Sequence, residues 1–443
     1  MTQSPDASLL TASPWWRPDP GTSLVIQGGC RLTGAYPISG AKNAVLPLMV
    51  SALVTPHLVT LHNVPSSLDV AVLANLLQRL GCVLNWSSGR GGLSLTVCAD
   101  HVHPARIDRD LVVRMRASVL LLGAVLARCG EACLPLPGGD AIGSRGIDFH
   151  IAGLRAMGAE IEAGGGMIQA RAPNGLHGAE IAFPHVSVGA TENLMLAAVL
   201  AEGTTTIRNA AREPEIADLA QCLIAMGAAI EGLDTHVLTI HGNRPLTGAV
   251  HAVMPDRIEL GTMACAAAVT GGELLLENGR RHLLGAAETL LLKAGVALED
   301  VADGVIARRP SGRLNGIMVE TQPYPGFATD LQAPVMAMLA VARGRSVITE
   351  TIFEQRFRHV EELRKMGADI TVDGRVASIT GVDQLRGARV TATDVRAAAA
   401  LVLAGLAAEG ETVLDGLDHL DRGYDRMAEK LEACGAHIVR SIV

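Results

Sequence analysis

The chain has 443 residues, enough for two domains, and 49% of them are hydrophobic while only 2% are aromatic. A net charge of −8 with a pI near 6.0 argues against nucleic acid as a partner, and no apolar run reaches the roughly 20 residues of a membrane span. Cys30, Cys82, Cys98, Cys129, Cys133, Cys222, Cys265 and Cys434 form no CxxC pair, which excludes an obvious zinc site or disulfide frame and fits reduced thiols in a cytoplasmic protein. Residues 1–22, with Pro5, Pro14, Pro18 and Pro20, read as a disordered leader without the apolar core of a signal peptide. Beyond it one unit recurs. Residues 43–54, 117–127, 192–201, 260–270, 331–340 and 397–408 are apolar on every side, which predicts helices buried all round. Each copy also carries an amphipathic helix, as in 360–366, closed by a glycine and followed by an alternating strand, as in 368–372. The closing glycines, Gly81, Gly158, Gly227, Gly295, Gly367 and Gly435, recur about every 70 residues. That period is too long for a solenoid and suits a small βαβ-type unit. Six copies in two domains are predicted, the buried helices packed together and wrapped by sheets and amphipathic helices.

Charge gathers where the buried helices begin. The entry segments include Ser39-Gly40-Ala41-Lys42-Asn43, Arg114-Met115-Arg116, Asp256-Arg257-Ile258-Glu259, Thr329-Asp330 and Asp394-Val395-Arg396. A helix start exposes unpaired N–H groups and the positive end of the dipole, so a cation there opposes the helix unless an anion sits beside it. Lys42, Arg116, Arg145, Arg356, Arg396 and Arg422 together suggest a polyphosphate, or a phosphate with a carboxylate, in a strongly anion-attracting cleft. Singly, each such arginine could equally serve a structural ion pair. The glycine-rich Pro137-Gly138-Gly139-Asp140-Ala141-Ile142-Gly143-Ser144-Arg145 follows a strand-like 132–136 and reads as a lid or a plain solvent loop.

Many segments, taken in order, resemble the UDP-N-acetylglucosamine enolpyruvyl transferase family. They are Ser39-Gly40-Ala41-Lys42-Asn43, Met115-Arg116-Ala117-Ser118, Leu136-Pro137-Gly138-Gly139, Ser187-Val188-Gly189-Ala190-Thr191, Asn209-Ala210-Ala211-Arg212-Glu213-Pro214-Glu215, Pro255-Asp256-Arg257-Ile258-Glu259, Thr329-Asp330-Leu331-Gln332, Glu354-Gln355-Arg356-Phe357 and Asp421-Arg422-Gly423-Tyr424. The match runs from about Leu24 to the C-terminus. It implies an α/β fold of two inverse α/β barrels, each of three βαβαββ repeats. One subdomain would be 42–254, carrying the loop, and the other 23–41 plus 255–443. The two crossings, near residues 41 and 255, would let the halves hinge from an open form to one closed on the acceptor.

The resemblance also implies the chemistry. The family moves the enolpyruvyl group of phosphoenolpyruvate to the 3-hydroxyl of UDP-N-acetylglucosamine and releases phosphate, with no cofactor and no metal. Lys42, Arg116, Arg145 and Arg422 would hold phosphoenolpyruvate. Asn43 would position the tetrahedral intermediate and Asp330 would take the hydroxyl proton. Arg116, Arg145, Gly146, Asp148, Ser187, Val188, Gly189, Asp330 and Ile352 would bind the UDP-sugar, while Arg356, Asp394 and Arg396 shape the closed cleft. The protein would be cytoplasmic, a monomer or weak homo-oligomer, with no membrane partner.

Some positions depart from the family pattern. Asp140 stands where most relatives carry a loop cysteine, the residue tied to protonation of the methylene carbon or to product release. An aspartate can act as that acid only if burial or negative charge raises its pKa. Fosfomycin alkylates the cysteine, so an aspartate predicts insensitivity. Gly146 replaces a proline, Phe149 enlarges the wall of the uracil site, Ala328 replaces a common proline, and His185 stands where Lys or Pro is frequent. These changes leave room for a paralogue acting on another nucleotide such as UMP. The signature segments of the shikimate-phosphate enzyme are missing, and a non-catalytic relative would be expected to lose Lys42, Asp330 or Arg422.

Overall fold

The computed structural model describes residues 13, 22–89, 92–104 and 107–442. The expected leader, 1–22, lies outside the described residues apart from Ser13 and Thr22.

All six runs without a polar face are helices. They are Lys42–Ser51, Leu120–Cys129, Val188–Ala198, Arg257–Val269, Gln332–Leu339 and Val395–Ala407. Two of them open with a 3-10 turn, Arg116–Val119 and Thr329–Leu331. Lacking a polar stripe, they gain by burial on every side, and nearly all their residues are buried. Small residues permit close approach. A Cβ on Gly123 would come within 2.5 Å of the Asn193 carbonyl oxygen, and the Gly123 N–H donates to Asn193 Oδ1 at 2.9 Å.

The partner helices Leu68–Arg79, Asp148–Ala156, Pro214–Ala225, Ala286–Ala294, Val360–Lys365 and Met427–Ala433 each stop at one of the recurring glycines. Those glycines have φ between 89° and 106°, a left-handed turn that a side chain would strain.

Six sheets enclose the helices among the described residues. In one, Glu180–Ala182 runs parallel to Thr204–Arg208, which pairs antiparallel with Val237–His241, and that strand with Ala229–Glu231. A parallel pair needs a crossover, and the buried helix Val188–Ala198 supplies it. Pro214–Ala225 precedes the final hairpin, which completes the expected βαβαββ order. Four other sheets repeat this arrangement in space, and in three of them one strand comes from a distant part of the chain: Ala249–Ala252, Thr33–Pro37 and Thr22–Gln27. The sixth, Glu131–Pro135 with Met167–Arg171 and Glu160–Gly164, has three strands among the described residues, and the glycine-rich loop leaves from its edge.

Buried side chains form two clusters, one spanning 41–253 and the other 24–38 with 258–438. Two adjacent strands of backbone cross between them. Ala41 N–H donates to the Met254 carbonyl at 2.7 Å, and Asp256 N–H to that of Ser39 at 2.9 Å. Gly40 has no room for a side chain there, since a Cβ would lie 1.8 Å from the Asn63 carbonyl oxygen. Among the described residues no helix is long and apolar enough to cross a membrane. The starts of all six buried helices look into one cleft between the two cores.

Candidate active site

The cleft has a volume of about 470 Å³. Its lining holds as many acidic as basic side chains. The acids serve as anchors. Asp69 Oδ2 lies 2.9 Å from Lys42 Nζ, and Asp69 Oδ1 accepts from Arg422 Nε at 2.9 Å. Asp69 sits in the first turn of Leu68–Arg79 and is 1% exposed. Burial alone would raise its carboxyl, but Arg422 and Lys42 hold it below the usual range. One carboxylate thus fixes two cations that come from different halves of the molecule.

Arg422 also donates through Nη1 to Asp140 Oδ1 at 2.6 Å, and His419 Nδ1 lies 3.8 Å from the same oxygen. Burial opposes ionisation of Asp140, yet the nearby His419 ring and the charges of Arg422 and Lys42 hold it well below the carboxylate range. The sequence reading required a raised pKa for an acid at this position. In this arrangement the shift runs the other way, because the loop carboxylate has docked on a cation.

Across the cleft, Asp330 Oδ1 accepts from Arg356 Nη2 at 2.8 Å and its Oδ2 from Arg396 Nη2 at 2.9 Å. Asn43 Nδ2 donates to that Oδ2 at 3.3 Å. Burial would raise the carboxyl, and the two guanidiniums reverse this, keeping it far below its ordinary value. Asp394, expected to shape the cleft, does not line it. Its Oδ1 caps the helix Val395–Ala407 by accepting from the N–H groups of Arg396 and Ala397 at 2.9 and 3.1 Å. It holds Arg396 from behind.

Arg116 and Arg145 have no ion pair among the described residues. Arg116 donates through Nη2 to the Gly146 carbonyl at 2.5 Å. The Arg145 guanidinium lies 5.7 Å from the Phe353 ring centroid, and Arg356 lies 5.5 Å from the same ring. Burial, with Arg145 close by, pulls the Arg116 guanidinium down to about 10. Two neighbouring cations without an ion pair among the described residues, though Asp148 acts on Arg116 and Asp140 and Asp330 on Arg145 from further away, make this the anion-seeking part of the cleft. Ser187, Val188 and Gly189 open a helix beside it, the Ser187 hydroxyl accepting from Ala190 N–H at 3.4 Å. The two aromatic departures meet here: Phe149 stacks on Phe183 at 5.7 Å and touches the His185 ring edge-on at 4.7 Å. Asp148, Gly146 and Ile352 also line the cleft.

The loop bridges the two halves. Besides Asp140 on Arg422, Ser144 N–H donates to Glu354 Oε1 at 2.6 Å and Gln355 N–H to the Ile142 carbonyl at 3.1 Å. Arg358 Nη1 reaches the Ala141 carbonyl at 3.3 Å. Gly143 faces the Glu354 carboxylate so closely that a Cβ would lie 2.6 Å from it. This is a closed arrangement with the loop as its strap.

The cleft therefore gathers Lys42, Asn43, Arg116, Asp140, Arg145, Asp330, Arg356, Arg396 and Arg422, leaving out only Asp394 of the expected residues. Sequence reasoning missed Asp69, Glu192 and the buried pair of Arg257 with Glu215, whose atoms meet at 3.0 and 3.2 Å. A lone carboxylate within an otherwise apolar helix was the available signal for Glu192. Among the described residues no group of three or more His, Cys, Asp or Glu is placed to hold a metal ion.

Comparison with known proteins agrees with this geometry. The family model for EPSP synthase (3-phosphoshikimate 1-carboxyvinyltransferase) matches residues 26–431. The UDP-N-acetylglucosamine 1-carboxyvinyltransferase of Rhodospirillum centenum is 53% identical over 94% of this chain and 98% of its own. That of Acidiphilium cryptum is 54% identical over the same shares. Among solved structures, the enolpyruvyl transferase NikO from Streptomyces tendae superposes with a TM-score of 0.83 at 26% identity, covering 95% of this chain and 99% of that one. An EPSP synthase from Acinetobacter baumannii, at 19% identity and a TM-score of 0.71, shares the fold over 95% of this chain and all of its own. With relatives this similar nearly end to end, the chain belongs to the UDP-N-acetylglucosamine 1-carboxyvinyltransferase family of enolpyruvyl transferases.

Proposed function

We propose that this enzyme transfers the enolpyruvyl group of phosphoenolpyruvate to the 3-hydroxyl of UDP-N-acetylglucosamine, the first committed step of peptidoglycan precursor synthesis. The observation that carries the reading is the pair of anchored ion groups facing each other across one cleft. Lys42 and Arg422 share Asp69 on one side, and Arg356 and Arg396 grip Asp330 on the other. The first is suited to a small polyanion and the second to an alcohol.

In this reading the sugar oxygen bonds to C2 of phosphoenolpyruvate while a proton adds to the methylene carbon. The hydroxyl proton passes to Asp330. A carboxylate held this low by two arginines accepts a hydrogen bond readily and takes the proton only as the C–O bond forms. Loss of a methyl proton and cleavage of the C2–O bond to phosphate then restore the double bond. The donor competes with Asp140 for Arg422 and Lys42 and brings its own negative charge. Both effects raise the Asp140 carboxyl towards the range where it can deliver the methylene proton. Arg116 and Arg145 meet phosphate oxygens, Asn43 steadies the intermediate, and the helix start at Ser187 takes the acceptor's phosphates. Asp140 in place of a thiolate makes the enzyme insensitive to fosfomycin. The halves open to admit the acceptor and close through the loop strap. The reading carries with it a cytoplasmic location and action as a monomer or weak homo-oligomer.

A second reading, transfer to another nucleotide such as UMP, is favoured by one observation. The Phe149–His185 contact puts an aromatic wall on the cleft at two positions that depart from the family pattern. The test is phosphate release from phosphoenolpyruvate with UDP-N-acetylglucosamine, UMP or shikimate 3-phosphate as acceptor. Release with the first alone is expected. Release with UMP alone would establish the second reading.

A further inference from the structure

Glu192 stands on the buried helix Val188–Ala198, one turn beyond the start at Ser187, and lines the cleft. It is 6% exposed. Asp69, Asp330 and Glu215 all hold cations, whereas Glu192 has no ion pair or hydrogen bond through its carboxyl among the described residues. The charged groups that act on it are acidic. Glu215 is matched by Arg257, and Glu213 accepts from the N–H groups of Tyr324 and Arg212 at 3.3 and 3.1 Å. Burial first, then Glu215 and Glu213, pushes the Glu192 carboxyl well above the usual range, which favours its protonated form.

A protonated carboxyl offers an O–H donor beside a carbonyl acceptor. Leaving both unmet in a buried wall is costly unless a ligand or water meets them. Position narrows the ligand. Behind Glu192 on its own helix lies the phosphate-seeking start at Ser187. Beyond Glu215 and Arg257 lies Asp330, whose charge Arg257 also feels. An acceptor that spans from that helix start to Asp330 passes Glu192 with whatever lies between its phosphates and its reacting hydroxyl. Carboxyl groups there repel a phosphate and suit an uncharged polar group.

We propose that Glu192 is a specificity residue whose unpaired carboxyl hydrogen-bonds a hydroxyl or amide on the sugar portion of a nucleotide-sugar acceptor. The inference rests on the acceptor reading above. It is tested by calorimetric titration of wild type, Glu192→Gln and Glu192→Leu with UDP and with UDP-N-acetylglucosamine. Leucine should weaken UDP-N-acetylglucosamine roughly tenfold and leave UDP unchanged. Glutamine keeps a donor and an acceptor and should stay within about twofold of wild type for both ligands. Equal weakening of UDP and the sugar nucleotide by leucine, or no weakening, overturns the proposal. Loss with glutamine as large as with leucine would show that a charged carboxylate is required and overturns it too. So would a wild type that binds UDP-N-acetylglucosamine no better than UDP. Thermal melting guards against misfolding, since removing an unpaired buried carboxyl should leave the fold as stable or more so. Phosphate release is read separately. The expected binding pattern without turnover refutes enolpyruvyl transfer and leaves Glu192 standing. Turnover with an unaffected leucine variant refutes Glu192 and leaves the reaction standing.

Discussion

Asp69→Asn is the most revealing single change. Asp69 is 1% exposed and holds Lys42 and Arg422 at 2.9 Å each. Removing one partner of a fully buried pair costs about 3–5 kcal/mol. Here the side chains of Lys42 and Arg422 keep 15% and 13% of their surface exposed. Cleft water can therefore solvate them, and about 2–3 kcal/mol of stability should be lost. The kinetic effect should be larger. Among the described residues Arg422 would keep Asp140 alone as an anchor and swing towards the loop, while Lys42 would lose its ion pair with Asp69. Displacing two donor-binding cations by about 1 Å should lower kcat/KM for phosphoenolpyruvate about 100-fold. Phosphate release with varied phosphoenolpyruvate at saturating acceptor measures this, and urea unfolding measures the stability term. Binding of UDP-N-acetylglucosamine alone should change less than about twofold. An unchanged kcat/KM for phosphoenolpyruvate, or an equal loss in acceptor binding, would refute the anchoring role.

Fosfomycin should cause no time-dependent inactivation, and Asp140→Cys should introduce it. Glu354→Ala should loosen the strap, seen as faster tryptic cleavage within 137–145, and Glu354→Gln, which keeps a carbonyl acceptor, should restore much of the protection. Small-angle scattering should show a more compact particle on addition of acceptor, and identical curves would count against hinging. Asp69, Asp140 and Asp330 are all held below their ordinary range, so their stabilisation is complete above about pH 4 and is lost as pH falls through their folded values. The melting temperature should drop steeply below pH 4, and less so in Asp69→Asn. Glu192 has the opposite sign: its raised value makes the fold lose stability as pH climbs above about 4.3, so Glu192→Gln should gain more at pH 8 than at pH 4.

The framework was legible because its signals are local. A run such as 397–408 has no polar face, so it had to be buried whatever packs on it. The six glycines had to close helices because each takes a left-handed φ where a side chain is strained. The anchors were less legible because they are not local. Asp69 reads as an ordinary first-turn acid favoured by the helix dipole, and its partner Arg422 lies 353 residues away. Asp394 was ambiguous for the converse reason: its position beside Arg396 suits cleft lining and helix cap alike, and only the direction of Oδ1 shows that it acts on the cleft through Arg396. The shift on Asp140 was out of reach of sequence, since its sign depends on whether the loop rests on Arg422 or on solvent.

The most direct measurement is the structure of the product formed from phosphoenolpyruvate and UDP-N-acetylglucosamine, read by NMR alongside phosphate release. The account predicts a carboxyvinyl ether on the sugar 3-oxygen, with one phosphate released for each ether formed and no added metal or cofactor. An unmodified sugar nucleotide, or phosphate released without an ether, would contradict it.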